Sequence, residues 1–113
     1  MIFSWDEANR DHIAKHTVTP KEARFVLENA KAPFPQELGD GKRRVWGPTM
    51  AGRLLQVIYV LKHQDDVPFE SINPLDWIEL QRMPDAKIAR VIHAMDLTSQ
   101  MKRQFRRRRR YKP

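Results

Sequence analysis

The apolar positions change period along the chain, and each change marks an element. Ile2, Phe3 and Trp5 form a short aromatic-rich run that predicts a first strand, ending where Asp6 can cap a helix reaching about His16. Thr19-Pro20-Lys21-Glu22 predicts the start of a second helix: threonine as N-cap, proline at the first helical position, glutamate completing a capping box. Ala23, Val26, Leu27 and Ala30 then recur at i, i+3, i+4 and i+7 as one core-facing stripe, before Pro33 and Pro35 end it. The segment up to Gly41 reads as loop. Arg43 to Met50 and Arg53 to Leu61, separated by Ala51-Gly52, read as a hairpin whose first arm carries Pro48 and so belongs at an edge or is irregular.

Leu54 to Leu61 is apolar on both alternating sets apart from Gln56, the pattern of a central strand covered on both faces. Residues 62–87, with Asp65, Asp66, several prolines and an exposed-looking Phe69, read as loop with one helical turn near Leu75 to Leu80. Ile88 to Met95 is a last strand. Thr98 then caps a final helix in which Leu97, Met101 and Phe105 recur every fourth residue. The order β-α-α-β-β-loop-β-α, with strands joined without crossover helices, predicts an α+β domain: an antiparallel sheet with segregated helices. The expected organisation is one domain over residues 1–105 and a basic tail over 106–113.

A chain of 113 residues with 41% apolar content fits one core. No apolar run approaches the roughly 20 residues of a membrane helix, and the opening MIFSWDEANR lacks a basic segment followed by an apolar one. The expectation is a cytoplasmic protein with no membrane partner. Without cysteine there is no disulfide framework, zinc-thiolate site or thiol nucleophile. The net charge of +7 sits at one end: Lys102 to Pro113 holds eight basic residues and no acid, leaving 13 basic against 14 acidic residues elsewhere.

That segment is the strongest physical signal. Consecutive arginines on a helix place charge on every side and repel one another, so a polyanion is expected to offset them. Alone, such a tail is solvated; on a phosphate backbone it orders, largely blind to base sequence. The expected nucleic-acid contacts are Lys102, Arg103, Arg106, Arg107, Arg108, Arg109, Arg110 and Lys112, with Tyr111 available to stack on a base. His12 and His16, four apart, have a metal-binding spacing, but only two ligands are evident and Trp5 and Ala8 share their stripe. A packed face is the expectation there, with no metal and no cofactor.

Three stretches, FSWDEANRDHIAKHTVTPKEA, AGRLLQVIYVL and VIHAMDLTSQMKRQFRRRRR, together resemble the BrnT-type toxins, small ribonucleases of bacterial type II toxin-antitoxin operons with a fold similar to RelE. The resemblance implies metal-independent RNA cleavage, which needs an activated 2′-hydroxyl, positive charge at the phosphate and a proton donor for the leaving 5′-oxygen. The candidates are Lys15, His16, Arg44, Arg53 and His93. It also implies a ribbon-helix-helix antitoxin as partner, with RNA as target and operator DNA reached through the antitoxin. Four departures stand out. Met95 and Met101 occupy positions where the family usually has an arginine and a glutamate, Thr17 stands where glycine is common, and residues 62–87 resemble an insertion. Replacing charge with thioether implies weakened or lost chemistry, so a non-enzymatic nucleic-acid-binding or corepressor protein is the alternative.

Overall fold

The computed structural model describes residues 1–110, with side chains through Arg108; Tyr111 and Lys112, and the side chains of Arg109 and Arg110, lie outside that description. The chain is α+β. Five strands, β1 (Ile2–Ser4), β2 (Gln36–Gly39), β3 (Lys42–Pro48), β4 (Leu54–Lys62) and β5 (Ile88–Asp96), form one sheet in the order β1-β5-β4-β3-β2. Four helices, α1 (Glu7–Ala14), α2 (Pro20–Glu28), α3 (Pro74–Arg82) and α4 (Ser99–Arg110), complete it. No helix among the described residues is long and apolar enough to cross a membrane.

The helix starts follow the sequence. Asp6 and Asn9 make a reciprocal capping box on α1, and Thr19 and Glu22 make another on α2. Thr98 accepts from Met101 N–H at 3.2 Å at the head of α4. Helix α1 is shorter than expected and ends at Ala14. The expected separate tail is continuous with α4, whose backbone stays helical through Arg110.

The sheet departs from the expectation in two places. It is mixed, because β1 pairs parallel to β5, Phe3 opposite Ala89. The short connections that imply antiparallel neighbours say nothing about these two strands, which are the most distant in sequence. The segment expected as loop before Gly41 contains β2, a short strand exposed along most of its length and therefore without apolar alternation. Its signal is Asp40-Gly41: both residues have positive φ, 54° and 74°, between the paired Gly39 and Lys42, as a tight hairpin requires. Pro48 is tolerated because it ends β3, beyond the Gln36 to Arg44 pairing that joins β2 to this strand.

Coverage of the sheet also differs. In β4, Leu55, Val57 and Tyr59 are buried while the interleaved Gln56, Ile58 and Val60 are half-buried, so this strand is fully covered on one face only. The strand closed on both faces is β3, where Val45, Trp46 and Gly47 are all buried in succession. Ile13 of α1, Ala23, Val26 and Leu27 of α2 and Phe105 of α4 join these strands in the main core. Residues 62–87, expected as loop with a helical turn, form two 3-10 turns and α3, started by Asn73 accepting from Leu75 N–H. Ile72, Leu80 and Ile88 make a second, small core under them.

This coverage fixes which substitutions matter. Leu55→Ala, at a fully buried position, should cost about 2–5 kcal/mol in chemical denaturation. Ile58→Ala, on the other face of the same strand and half-buried, should cost roughly 1 kcal/mol. Equal losses at both sites would mean that β4 is closed on both faces after all.

Candidate functional site

Helix α1 is placed by the backbone it completes. Strand β1 stops at Ser4, opposite Arg90, leaving the rest of the β5 edge unpaired on that side. The buried Asn9 amide donates to Ser4 O at 3.0 Å and to Val91 O at 3.1 Å, so α1 takes over the edge where β1 leaves it. Arg90 reinforces the corner with a 3.0 Å ion pair to Asp6. The hydrogen bond from Arg90 holds the Asp6 carboxyl below the usual carboxylate range.

A bulge in β5 then sets the face of the key histidine. The register slips between Ile58 opposite His93 and Tyr59 opposite Val91, leaving Ile92 as the extra residue. The buried phase moves with it: Ala89 and Val91 are buried, then Ala94, while His93 is half-buried. An unbroken alternation would bury His93 in phase with Val91. Instead, His93 Nδ1 lies 3.4 Å from Nε2 of the exposed His12, and its ring meets that of the exposed His16 edge-on at 5.2 Å between centroids. Desolvation first, then the neighbouring His16 and His12, pushes the His93 pKa below its ordinary value. His93 therefore keeps its neutral, proton-accepting form down to a lower pH than an ordinary imidazole.

Arg53 holds this arrangement together. Its Nε and Nη2 form a fork on Asp96 at 2.7 and 2.9 Å, while Nη1 and Nη2 donate to Thr17 O at 2.7 Å and His16 O at 2.9 Å. Glu22, at the start of α2, lies 3.6 Å from Nη1. The fork keeps Asp96 below the usual carboxylate range and raises Arg53 itself. The segment it clamps is the end of α1, where Val18 N–H bonds to Ile13 O and Thr17 N–H to Ala14 O, the pair of bonds of a Schellman ending. Thr17 sits there at φ 55°, a conformation unfavourable for a β-branched residue. The Arg53 bond to Thr17 Oγ1 at 3.1 Å helps to hold it.

The expected site residues thus separate into groups. His16 and His93 come together and are joined by His12, whose face is exposed rather than packed as expected; the i, i+4 spacing of His12 and His16 is the signal that could have found it. Lys15 is exposed at the end of α1. Arg53 is committed to structural partners and acts by positioning. Arg44 is removed from the histidines: it pairs across the sheet with Ile58, which pairs with His93, so all three share one row and one face. Its Nε bonds to Gln36 at 3.0 Å and its guanidinium stacks on Trp46 at 4.9 Å. Next along that face come Trp46, Gln56 and Met95 in a second row. Beyond Trp46 lies α4, with Arg103, Arg106 and Arg107 exposed and Lys102 and Arg108 half-buried.

Among the described residues no group of three or more His, Cys, Asp or Glu side chains is arranged to hold a metal ion. Comparison with protein families, curated proteins and solved structures finds no significant match.

The lowered pKa of His93 has a defined effect on stability. In the unfolded chain His93 takes up a proton near its ordinary value of about 6.5, whereas in the folded protein protonation waits for a lower pH. Stability therefore falls as pH drops through that interval and levels off below the folded pKa. Asp6 and Asp96, shifted down, contribute stability that is lost only at much lower pH. Denaturation midpoints should decline between pH 7.5 and 5.5, and His93→Gln should flatten the decline; an unchanged slope in the variant would disprove the assignment.

Proposed function

We propose that this chain acts on RNA in the cytoplasm as the toxin half of a toxin-antitoxin pair, with His12, His16 and His93 as its acid-base centre. The observation that carries the reading is the convergence of three imidazoles around one held neutral, at one end of a face that continues through Arg44 and Trp46 to the arginines of α4. The sequence resemblance supplies the toxin class, the RelE-like fold and the ribbon-helix-helix partner; the histidines supply the chemistry.

His93 takes the proton of a 2′-hydroxyl as that oxygen attacks the adjoining phosphorus. One of the exposed His12 and His16 donates to the departing 5′-oxygen, giving a 2′,3′-cyclic phosphate. Lys102 and the α4 arginines bind flanking phosphates, so affinity falls steeply as salt rises. A second reading, nucleic-acid binding without cleavage, is favoured by two observations. Arg53 is occupied by Asp96 and two carbonyls, and Met101 packs against the core. Met95 and Met101 also stand where the toxins this chain resembles usually carry an arginine and a glutamate, so the charge expected at those two positions is absent.

Cleavage of end-labelled single-stranded RNA in the presence of chelator, and growth of cells expressing the chain without its partner, test the proposal. The unmodified protein should cleave weakly. Met95→Arg, which places a fork-shaped donor two residues from His93, should raise cleavage about tenfold or more and arrest growth. Adding His93→Ala should abolish the gain, a loss of roughly 10²-fold or greater. Cleavage undiminished by His93→Ala would sink the acid-base assignment. An inert Met95→Arg protein that still binds RNA would establish the second reading.

A further inference from the structure

A cavity of about 480 Å³ opens where the C-terminal end of α2 and the loop after it face β3 and α4, away from the histidines. Phe25, Phe34, Trp46 and Phe105 give it an aromatic wall, and Lys31 and Arg108 give it charge; none of its lining residues is acidic. Its size falls within the range of small-molecule sites, roughly 300–1,000 Å³. The rings form a continuous surface: Phe34 lies 5.6 Å from Trp46 and 6.3 Å from Phe105 between centroids. The Trp46 indole is fixed by donating to Gln56 at 2.9 Å.

Arg108 indicates what the cavity takes. Its guanidinium stacks 5.1 Å from the Trp46 ring and 5.8 Å from Phe34, yet its Nη1 is buried with no hydrogen-bond partner among the described residues. A buried charged donor without an acceptor is costly, and an anion at this place would satisfy it. The occupant must therefore combine a flat apolar body with negative charge. Because α4 continues from Arg108 with further arginines, that charge belongs to a chain of phosphates rather than to an isolated small acid.

We propose that this cavity binds one unpaired nucleotide of a single-stranded RNA, its base on the Phe34 and Trp46 wall and its phosphate between Arg108 and Lys31. The inference rests on the RNA-directed reading and gives it a substrate class. Bases inside a duplex are stacked on their neighbours and cannot enter, so the protein prefers single strands, as stacking platforms do.

Indole N–H signals of the ¹⁵N-labelled full-length protein, assigned with Trp5→Phe and Trp77→Phe variants, report the cavity directly. Adenosine 5′-monophosphate should shift the Trp46 signal saturably and leave Trp5 and Trp77 in place; ribose 5-phosphate should not. Arg108→Gln should weaken the nucleotide about tenfold, and should weaken a single-stranded oligoribonucleotide more than Arg106→Gln does. Lys31→Gln provides the same test if Arg108→Gln melts below the wild type. Oligoribonucleotide binding with an unmoved Trp46 signal would overturn the cavity assignment and leave the RNA reading standing. Failure to bind any RNA at moderate salt would overturn both. A Trp46 shift caused by a glutamate- and phenylalanine-containing peptide but not by the nucleotide would reassign the cavity to a protein partner and overturn the proposal.

Discussion

The guanidinium of Arg53 is the constraint on which the histidine cluster depends. The turn from α1 into α2 and the end of β5 lie far apart in the chain, and one planar group donates to or pairs with both, through His16 O, Thr17 O and Glu22 on one side and Asp96 on the other. A lysine could match its charge but not its several fixed directions. The clamp also tolerates a local cost, since it holds Thr17 in a left-handed conformation that glycine would adopt freely. His16 lies beside His93 because the residue after it is held in this way.

Much of the fold is legible in the chain because its devices are local. The capping residues Asp6 and Thr19 with Glu22, the Ala23-Val26-Leu27 stripe, the hairpin around Ala51-Gly52 and the spacing of Leu97, Met101 and Phe105 each act within a few residues, and each appears where the pattern places it. What was hidden is non-local. The pairing of β1 with β5 spans nearly the whole chain, and the role of Arg53 is set by Asp96, 43 residues away. The site was half legible: His16 and His93 could be named, but their meeting depends on the extra residue Ile92 and on the compact ending of α1, neither of which has a compositional signature.

Charge and packing are combined in α4. One side of this helix carries Met101 and Phe105 into the main core, and the same helical backbone continues through Arg110. Arg108 belongs to both roles, stacked on Trp46 and Phe34 while still cationic. The basic run is thereby anchored at a fixed distance and direction from the row that contains Arg44, Ile58 and His93. The histidine cluster and the basic helix thus share one face of the sheet.

Residues 62–87 contribute in a different way. Strand β1 is the edge of the sheet, and the backbone N–H of Trp5, just past its end, bonds to Ser71 O at 2.8 Å while Ser4 Oγ bonds to Ser71 Oγ at 2.8 Å. This segment therefore shields a sheet margin that would otherwise offer itself to another chain. Its core, Ile72 and Leu80 against Ile88 of β5 with a few half-buried neighbours, is small and separate from the main one. A lesion in α3 would then appear as self-association through the uncovered margin, with the histidine cluster still assembled: the segment protects solubility, and its failure is one of aggregation rather than of chemistry.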